Sequence, residues 1–541
     1  AGNASLDVQA AVDGGVDLTL NVDGTTTFQG DVGQTTAIGD GTGAAITINS
    51  IGETIYQGTV VTESGLVQDN AAGEVTFLRN VTIAAGDTAT IFNKNVTIDG
   101  TVPNPLNFNS TSDVTFGNDA ADRLTLFPDV NFNVLGALQF ISVVINNNGG
   151  DIVFSSDTLE VNNTIDTGGG NFTFTATVGD VDFTSNGRIF SQGGNVSITS
   201  DLGSITMEDG AEVNSGAGTI LFDAPNGDIQ LSGLSTTNAT DIAVQIMTGG
   251  SVTDAGDTNV DIQAPNGRLV ITSVDGVGTG DAIETTVSSI DIDNTGAGNV
   301  EIAETDDLAI FRIATPDGVN LNIANGEVTD GNPGARPDIQ ATNLILQATN
   351  GVGNGDAIET TVDTINIVNT VTGNVEIAET DDLEIIGVET PNDVDLNVGT
   401  GGNGAIIDGN TNGPDIKANG VALQATNGIG DGDPIDTEVQ VYAAANTTGG
   451  NIAILNVGAG VIGEVNGLEG ITNDAMNGGI TITNASPLTV DAPVLATAGG
   501  NISLTSLNDG NLTVNRQVSA TGGDGDIMLD AGAGSLIIND D

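Results

Sequence analysis

The chain of 541 residues sets 72 acidic side chains against nine lysines and arginines, a net charge of −63, and it has no cysteine, histidine or tryptophan. That excludes a disulfide framework and thiol chemistry, and it leaves no basic face for nucleic acid or anionic lipid. Hydrophobic residues at 38% exclude a disordered acidic chain, while 3% aromatics and 77 glycines point away from a conventional core and toward many short buried strands.

The segment 1–150 reads as short strands between Gly, Asn and Asp turns: VDLTLNVDGTTTFQGDV, TIYQGTVV, EVTFLRNVTI and DVTFGND. Alternation over a few positions bounded by turn residues is the mark of a strand. The longest apolar run extends only from Val134 to Ile145, too short to span a bilayer. The opening AGNASLDVQ shows no basic region followed by an apolar stretch, which fits a removed leader or an internal fragment.

The segment 151–275 is periodic. Phe172, Val196 and Ile220 fall 24 apart, as do Val181, Ile205 and Ile229, and each unit holds three β-prone bursts. Such a unit cannot bury its apolar side alone, so stacking of units makes the fold. The segment 276–430 carries a longer repeat: GDAIETTV…GNVEIAETDDLAI from Gly280 returns from Gly355, a shift of 75, and LQATNGVG at Leu346 returns at Leu423, a shift of 77. Within it Val300, Val319 and Ile339 lie 19 and 20 apart, and four turns of that size nearly fill 75. The segment 431–541 returns to the earlier style, with Ile502 to Ile527 at 25 and Leu512 to Leu536 at 24. Crossover helices are excluded, because Gly and β-branched residues interrupt nearly every window long enough for one. The predicted fold is all-β: a parallel β-helix with three short strands per rung of roughly 19–25 residues, a single rod on the order of 115 Å long at ~4.8 Å per rung.

The segment NLILQATNGVGNGDAIETTV followed by GNVEIAE is similar to the repeats of filamentous-haemagglutinin-like exoproteins. LTLNVDGTTTFQGDV and ETIYQGTVV resemble repeats of giant bacterial β-strand-repeat surface proteins. Together these cover most of the chain. The resemblance implies a right-handed β-helix, export across the outer membrane, an extracellular or cell-surface location, and a role in adhesion, biofilm or surface coating. No functional residue of that family carries over, and its secretion domain is not recognisable here. The chain begins and ends in strand-like segments, SLDVQAAV and SLIINDD, without a polar cap. That fits either a fragment or rods stacking end to end.

Catalysis by a β-helix needs acids or a base on one face, with a cation to stabilise developing charge. Here the basic residues are scattered, never two within ten positions. The neighbouring acids that recur are Asp306-Asp307 and Asp381-Asp382; an active site should occur once, so they read as turn residues. Asn451 to Gly463 contains a GxGxxG spacing, but the glycines that follow leave no room for the helix a dinucleotide site requires. Calcium is the most plausible ligand, through the Asp-Gly-Asp turns at Asp431 and Asp433 and at Asp524 and Asp526; plain Asp-rich turns are the competing explanation. The sequence thus predicts a non-catalytic structural segment without a cofactor, partnered by cations, by copies of itself, or by a surface receptor or glycan. A carbohydrate-binding or carbohydrate-cleaving β-helix and a surface-layer or sheath subunit are the alternatives.

Overall fold

A computed structural model describes residues 3–539 except 85, 102–104, 120, 128–129, 141–143, 147–148, 241, 257, 335 and 486, and of residues 144–146 only the backbone. Part of the apolar run Val134 to Ile145 therefore lies outside the described residues. The fold is all-β, with parallel strands stacked in a β-solenoid of about 22 rungs at roughly 23 residues each. No helix among the described residues is long and apolar enough to cross a membrane. Most strands are short and alternate strictly: in Val75–Phe77 or Val114–Phe116 the outer two side chains are buried and the central Thr is not. The chain divides into two compact units, 1–287 and 288–541.

In the first unit the regular rungs have three faces. One stacks Ile152–Ser156, Phe172–Ala176, Val196–Ser200 and Ile220–Ala224; the next stacks Thr158–Val161, Val181–Phe183, Ile205–Met207 and Ile229–Leu231. Thr164–Asp166, Arg188–Phe190, Glu212–Gly216 and Gly233–Thr236 form the third. The register is the one the spacing of 24 predicts, Phe172 on Val196 on Ile220 and Val181 on Ile205 on Ile229. The less regular segment 1–150 joins the same ladders, and one parallel sheet of 11 strands runs from Leu18–Leu20 to Val252–Asp254.

Aromatic residues are few overall, yet they are concentrated in this unit, where in-register stacking places ring on ring. Phe28, Tyr56 and Phe77 lie parallel at centroid distances of 5.1 and 5.2 Å, and Phe92, Phe116 and Phe140 at 5.1 and 5.8 Å. Each ring adds large apolar area for little side-chain entropy. Glycine forms a column for a different reason. A Cβ on Gly170, Gly194 or Gly218 would collide with the carbonyl oxygen of the glycine one rung below, Gly150, Gly170 or Gly194. Backbone rests directly on backbone there, which explains the glycine that recurs two residues before each of these first strands. Beside the column, Thr167 and Ser215 donate to the carbonyls of Gly170 and Gly218, as Ser191 does to that of Gly194.

The second unit departs from the predicted spacing. Val319 lies on Val300 as expected, but its next partner is Leu344 rather than Ile339, followed by Ile365. Ile339 belongs to another ladder, between Ile313 and Thr360. The cause is a corner that opens. The strand Leu308–Ala314 pairs Val328–Asp330 through its first half and Ile339–Gln340 through its second, and residues 331–334 and 336–337 belong to the loop between them. Nor do four turns fill the repeat of 75. Three rungs lead from Val300 to Ile365, and Val375, the repeat counterpart of Val300, lies one strand farther on, in the ladder of Val328 and Val352. Equivalent residues of successive copies therefore occupy successive faces. Near the end the register is again as predicted, Ile502 on Ile527 and Leu512 on Leu536.

Two outcomes test this packing. Gly194→Ala forces two backbones apart and is expected to destabilise by roughly 3 kcal/mol; a melting temperature equal to that of the parent chain would contradict the column. Tyr56 is wholly buried between two phenylalanines with a hydroxyl that meets no partner. Tyr56→Phe removes that unpaired group and is expected to raise stability by about 1 kcal/mol, measurable in denaturant titrations.

Candidate functional site

The open corner gathers acids. Asp330 ends the strand Val328–Asp330, Asp338 directly precedes Ile339, and Glu359 lies in Ile358–Thr361 on the rung above. One carboxylate oxygen from each lies within 4.8 Å of the other two. The same arrangement occurs in the first unit with Asp254, Asp261 and Glu284. A third copy of the motif holds Asp408, Asp415 and Asp436, where the shorter Asp436 stands in place of the glutamate.

The central acid is fixed alike in all three. Asp338 takes the Glu359 N–H on Oδ2 (3.1 Å) and gives its own N–H to the Glu359 carbonyl (2.8 Å); Asp261 with Glu284 and Asp415 with Asp436 repeat this pair. Asn332 and Asn410 then donate to Asp338 Oδ1 and Asp415 Oδ1 at 2.7 and 2.6 Å. The central acids Asp261, Asp338 and Asp415 are wholly buried. Among the described residues, no lysine or arginine forms an ion pair with Asp330, Asp338 or Glu359. Glu284 Oε2, Asp330 Oδ2 and Glu359 Oε2 are also shut off from solvent and accept no hydrogen bond from an N–H or hydroxyl group.

Burial, reinforced by the neighbouring carboxylates, pushes the Asp261 carboxyl up to about 9 and those of Asp338 and Asp415 up to about 8. Burial likewise raises Glu284, Glu359 and Asp436, helped by the nearby charges of Asp254, Asp330 and Asp408, the first acid of each cluster. Chemically the clusters can share protons or hold a cation of matching size.

Another buried acid has a structural role. Burial pushes Glu379 up to about 7, but its carboxylate is caged by Thr360 Oγ1 and the N–H groups of Val362, Thr380 and Asp381. In the next copy Asn456 makes the equivalent contacts with Thr437 Oγ1 and the Val439 N–H. An amide replaces the acid at no loss of these two bonds, so charge is not needed there.

Asp431, Asp433, Asp524 and Asp526 lie on turns at the surface, with Asp431 Oδ1 accepting from Asn451 Nδ2 at 2.8 Å. Of these four, Asp433 is the one that faces a cluster, where its charge helps to raise Asp436. Asp307 and Asp382 accept the N–H of Glu327 and Ala405 from the next rung, the bonding of turn residues. The GxGxxG segment forms the strands Ile452–Asn456 and Gly460–Ile462. A surface groove of about 860 Å³ in the second unit includes Glu389, Lys417 and Glu438 in its wall, with Lys417 Nζ 3.1 Å from Glu389 Oε1.

The clusters escaped the sequence reading because their members stand far apart along the chain, the glutamate of each a full rung beyond its first aspartate. The signal is present nonetheless: VTDGNPGARPDIQ from Val328 and IIDGNTNGPDIKA from Ile406 share D-G-N and P-D-I, and VTDAGDTNVDIQA from Val252 keeps both aspartates. In comparisons with known proteins, no family model, no curated protein and no solved structure matches this chain.

The clusters dictate a pH dependence. A carboxyl whose pKa is raised on folding contributes most when protonated, below about pH 4, and that contribution is lost as pH rises through the folded values of about 8 to 9. In buffer freed of divalent cations, the variant Asp261→Asn/Asp338→Asn/Asp415→Asn should therefore gain melting temperature relative to the parent chain as pH goes from 5 to 9. A gap that stays constant across that range, followed by circular dichroism, counts against the buried-acid account.

Proposed function

We propose that the chain is a non-catalytic structural segment of a bacterial extracellular adhesin or surface fibre, acting as a stiff spacer that associates with copies of itself or presents its surface to a cell-surface receptor or glycan. The observation that carries this reading is the like-on-like register. Interior positions of one rung fall on interior positions of the next, so hydrogen bonds and side-chain columns run through each unit along the stacking direction. Continuous pairing of this kind resists extension and proteolysis. The acidic exterior suits a surface that stays hydrated and repels lateral association. The sequence resemblance to exported repeat proteins supports the surface location.

A second reading has one specific feature in its favour. The groove with Glu389, Lys417 and Glu438 offers charged and polar groups along several rungs, the kind of surface on which a carbohydrate-binding β-helix holds a chain of sugars. Native-condition electron microscopy combined with a glycan array decides between them. Isolated elongated particles or end-to-end fibres, with no glycan held in that groove, are the expected outcome. Extended two-dimensional sheets would instead favour the surface-layer alternative. Retention of a defined glycan that disappears in Lys417→Ala/Glu438→Gln would favour the carbohydrate-binding one.

A further inference from the structure

We propose that Asp330, Asp338 and Glu359, and likewise Asp254, Asp261 and Glu284, each bind one calcium ion that closes an opened corner of the solenoid. The ligand set is three carboxylates and nothing softer, which selects a hard divalent cation. Calcium–oxygen distances of about 2.3–2.6 Å allow ligands on one ion to lie up to roughly 5 Å apart, whereas magnesium at about 2.0–2.1 Å draws them within roughly 4.2 Å. The oxygens of each cluster lie within 4.8 Å of one another, inside the span that the ligands of one calcium ion can take.

Proximity of acids alone would not identify a ligand. The second observation is the set of orphaned oxygens. Glu359 Oε2, Asp330 Oδ2 and Glu284 Oε2 each expose less than 1 Å² and meet no N–H or hydroxyl donor, and the partner open to Glu359 or Glu284 is a proton carried by Asp338 or Asp261. A buried carboxylate oxygen without a partner is costly. A single shared proton bridges two oxygens and leaves the others bare, while one cation serves all three carboxylates at once. Glu379 supplies the contrast within the same repeat: an acid meant to stand alone is surrounded by four donors. Asp338 and Glu359 are positioned as ligands by backbone pairing, so the site exists before the ion arrives.

The third copy marks the limit of the motif. With Asp436 in place of glutamate, its acids are not among the groups whose oxygens all lie within 4.8 Å of one another. Two ions per chain are therefore expected, not three.

Equilibrium dialysis of the full chain against calcium chloride, in ~0.15 M potassium chloride to screen exposed acids, tests the proposal. The parent chain should retain two calcium ions and melt at higher temperature with calcium than with chelator. Asp261→Asn and Asp338→Asn should each remove one ion, and the double variant both, together with the calcium-dependent rise in melting temperature. Asp524→Asn/Asp526→Asn should leave both ions in place. The proposal is overturned if the parent chain melts alike with calcium and with chelator, a result that needs no variant to fold. It is equally overturned if the stoichiometry survives the double substitution or falls in the Asp524/Asp526 variant.

Discussion

Everything in this molecule follows from hydrogen bonding between one rung and the next in fixed parallel register. A three-residue strand has almost no stability alone, but here each one lies between two equivalents and contributes to a ladder shared by its whole unit. Register then imposes a rule on composition: whatever occupies a position is stacked on whatever occupies the same position one rung away. Phe28, Tyr56 and Phe77 obey it with parallel rings. Asn446 obeys it with Asn473, and Asn456 with Asn484, through amide-to-amide hydrogen bonds of 3.0 and 2.9 Å in the buried interior. Glycine obeys it by leaving no side chain where two backbones touch.

Like-on-like stacking is hostile to charge, and the chain carries 72 acids. Many are accommodated by making the exposed acid a hydrogen-bond acceptor for the next rung. Asp151 Oδ1 accepts the Asn171 N–H, Asn171 Oδ1 that of Asn195, and Asn195 Oδ1 that of Thr219. Aspartate and asparagine share such columns, so that direct acid-on-acid contacts are diluted while the bonding persists. The triads are where this device fails: three acids meet, two strands of one corner separate, and no amide stands between them. Asn332 reaches Asp338 from one side only. A position that defeats the general solution needs its own proton or counter-charge.

What the sequence discloses follows the same rule. The regular rungs were legible because every turn between Gly168 and Leu231 has nearly constant length, so that spacing along the chain equals spacing up the stack. Reading Ile339 as the partner of Val319 failed because a loop had been inserted between Asp330 and Asp338, and spacing in the chain no longer measured height in the solenoid. The aromatic column was hidden by averaging, since a 3% content spread over 541 residues conceals its concentration in the first unit. The triads were hidden by separation. Asp254 and Glu284, or Asp330 and Glu359, become neighbours only once rung height is known, whereas the visible Asp-Gly-Asp turns are adjacent in sequence and stay dispersed at the surface.

The mismatch between repeat and rung has a further consequence. Were the repeat of 75 a whole number of rungs, every copy of the loop after Asp330 would project from the same face, three or four rungs from the last at ~4.8 Å each, and the acids it carries would share one side of the unit. Three rungs and one face avoid this, since the corner opened in Leu308–Ala314 is opened again in Leu383–Glu389 on a different ladder. On the rung below each inserted loop a single continuous strand, Leu308–Ala314 or Leu383–Glu389, pairs both of the strands that the loop separates and so holds their register. The sequence drift between copies, glutamate at 359 and aspartate at 436, is then tolerable because each corner is supported by its neighbours and not by its own repeat counterpart. A solenoid built this way can vary its acid clusters one at a time without losing the ladder that defines it.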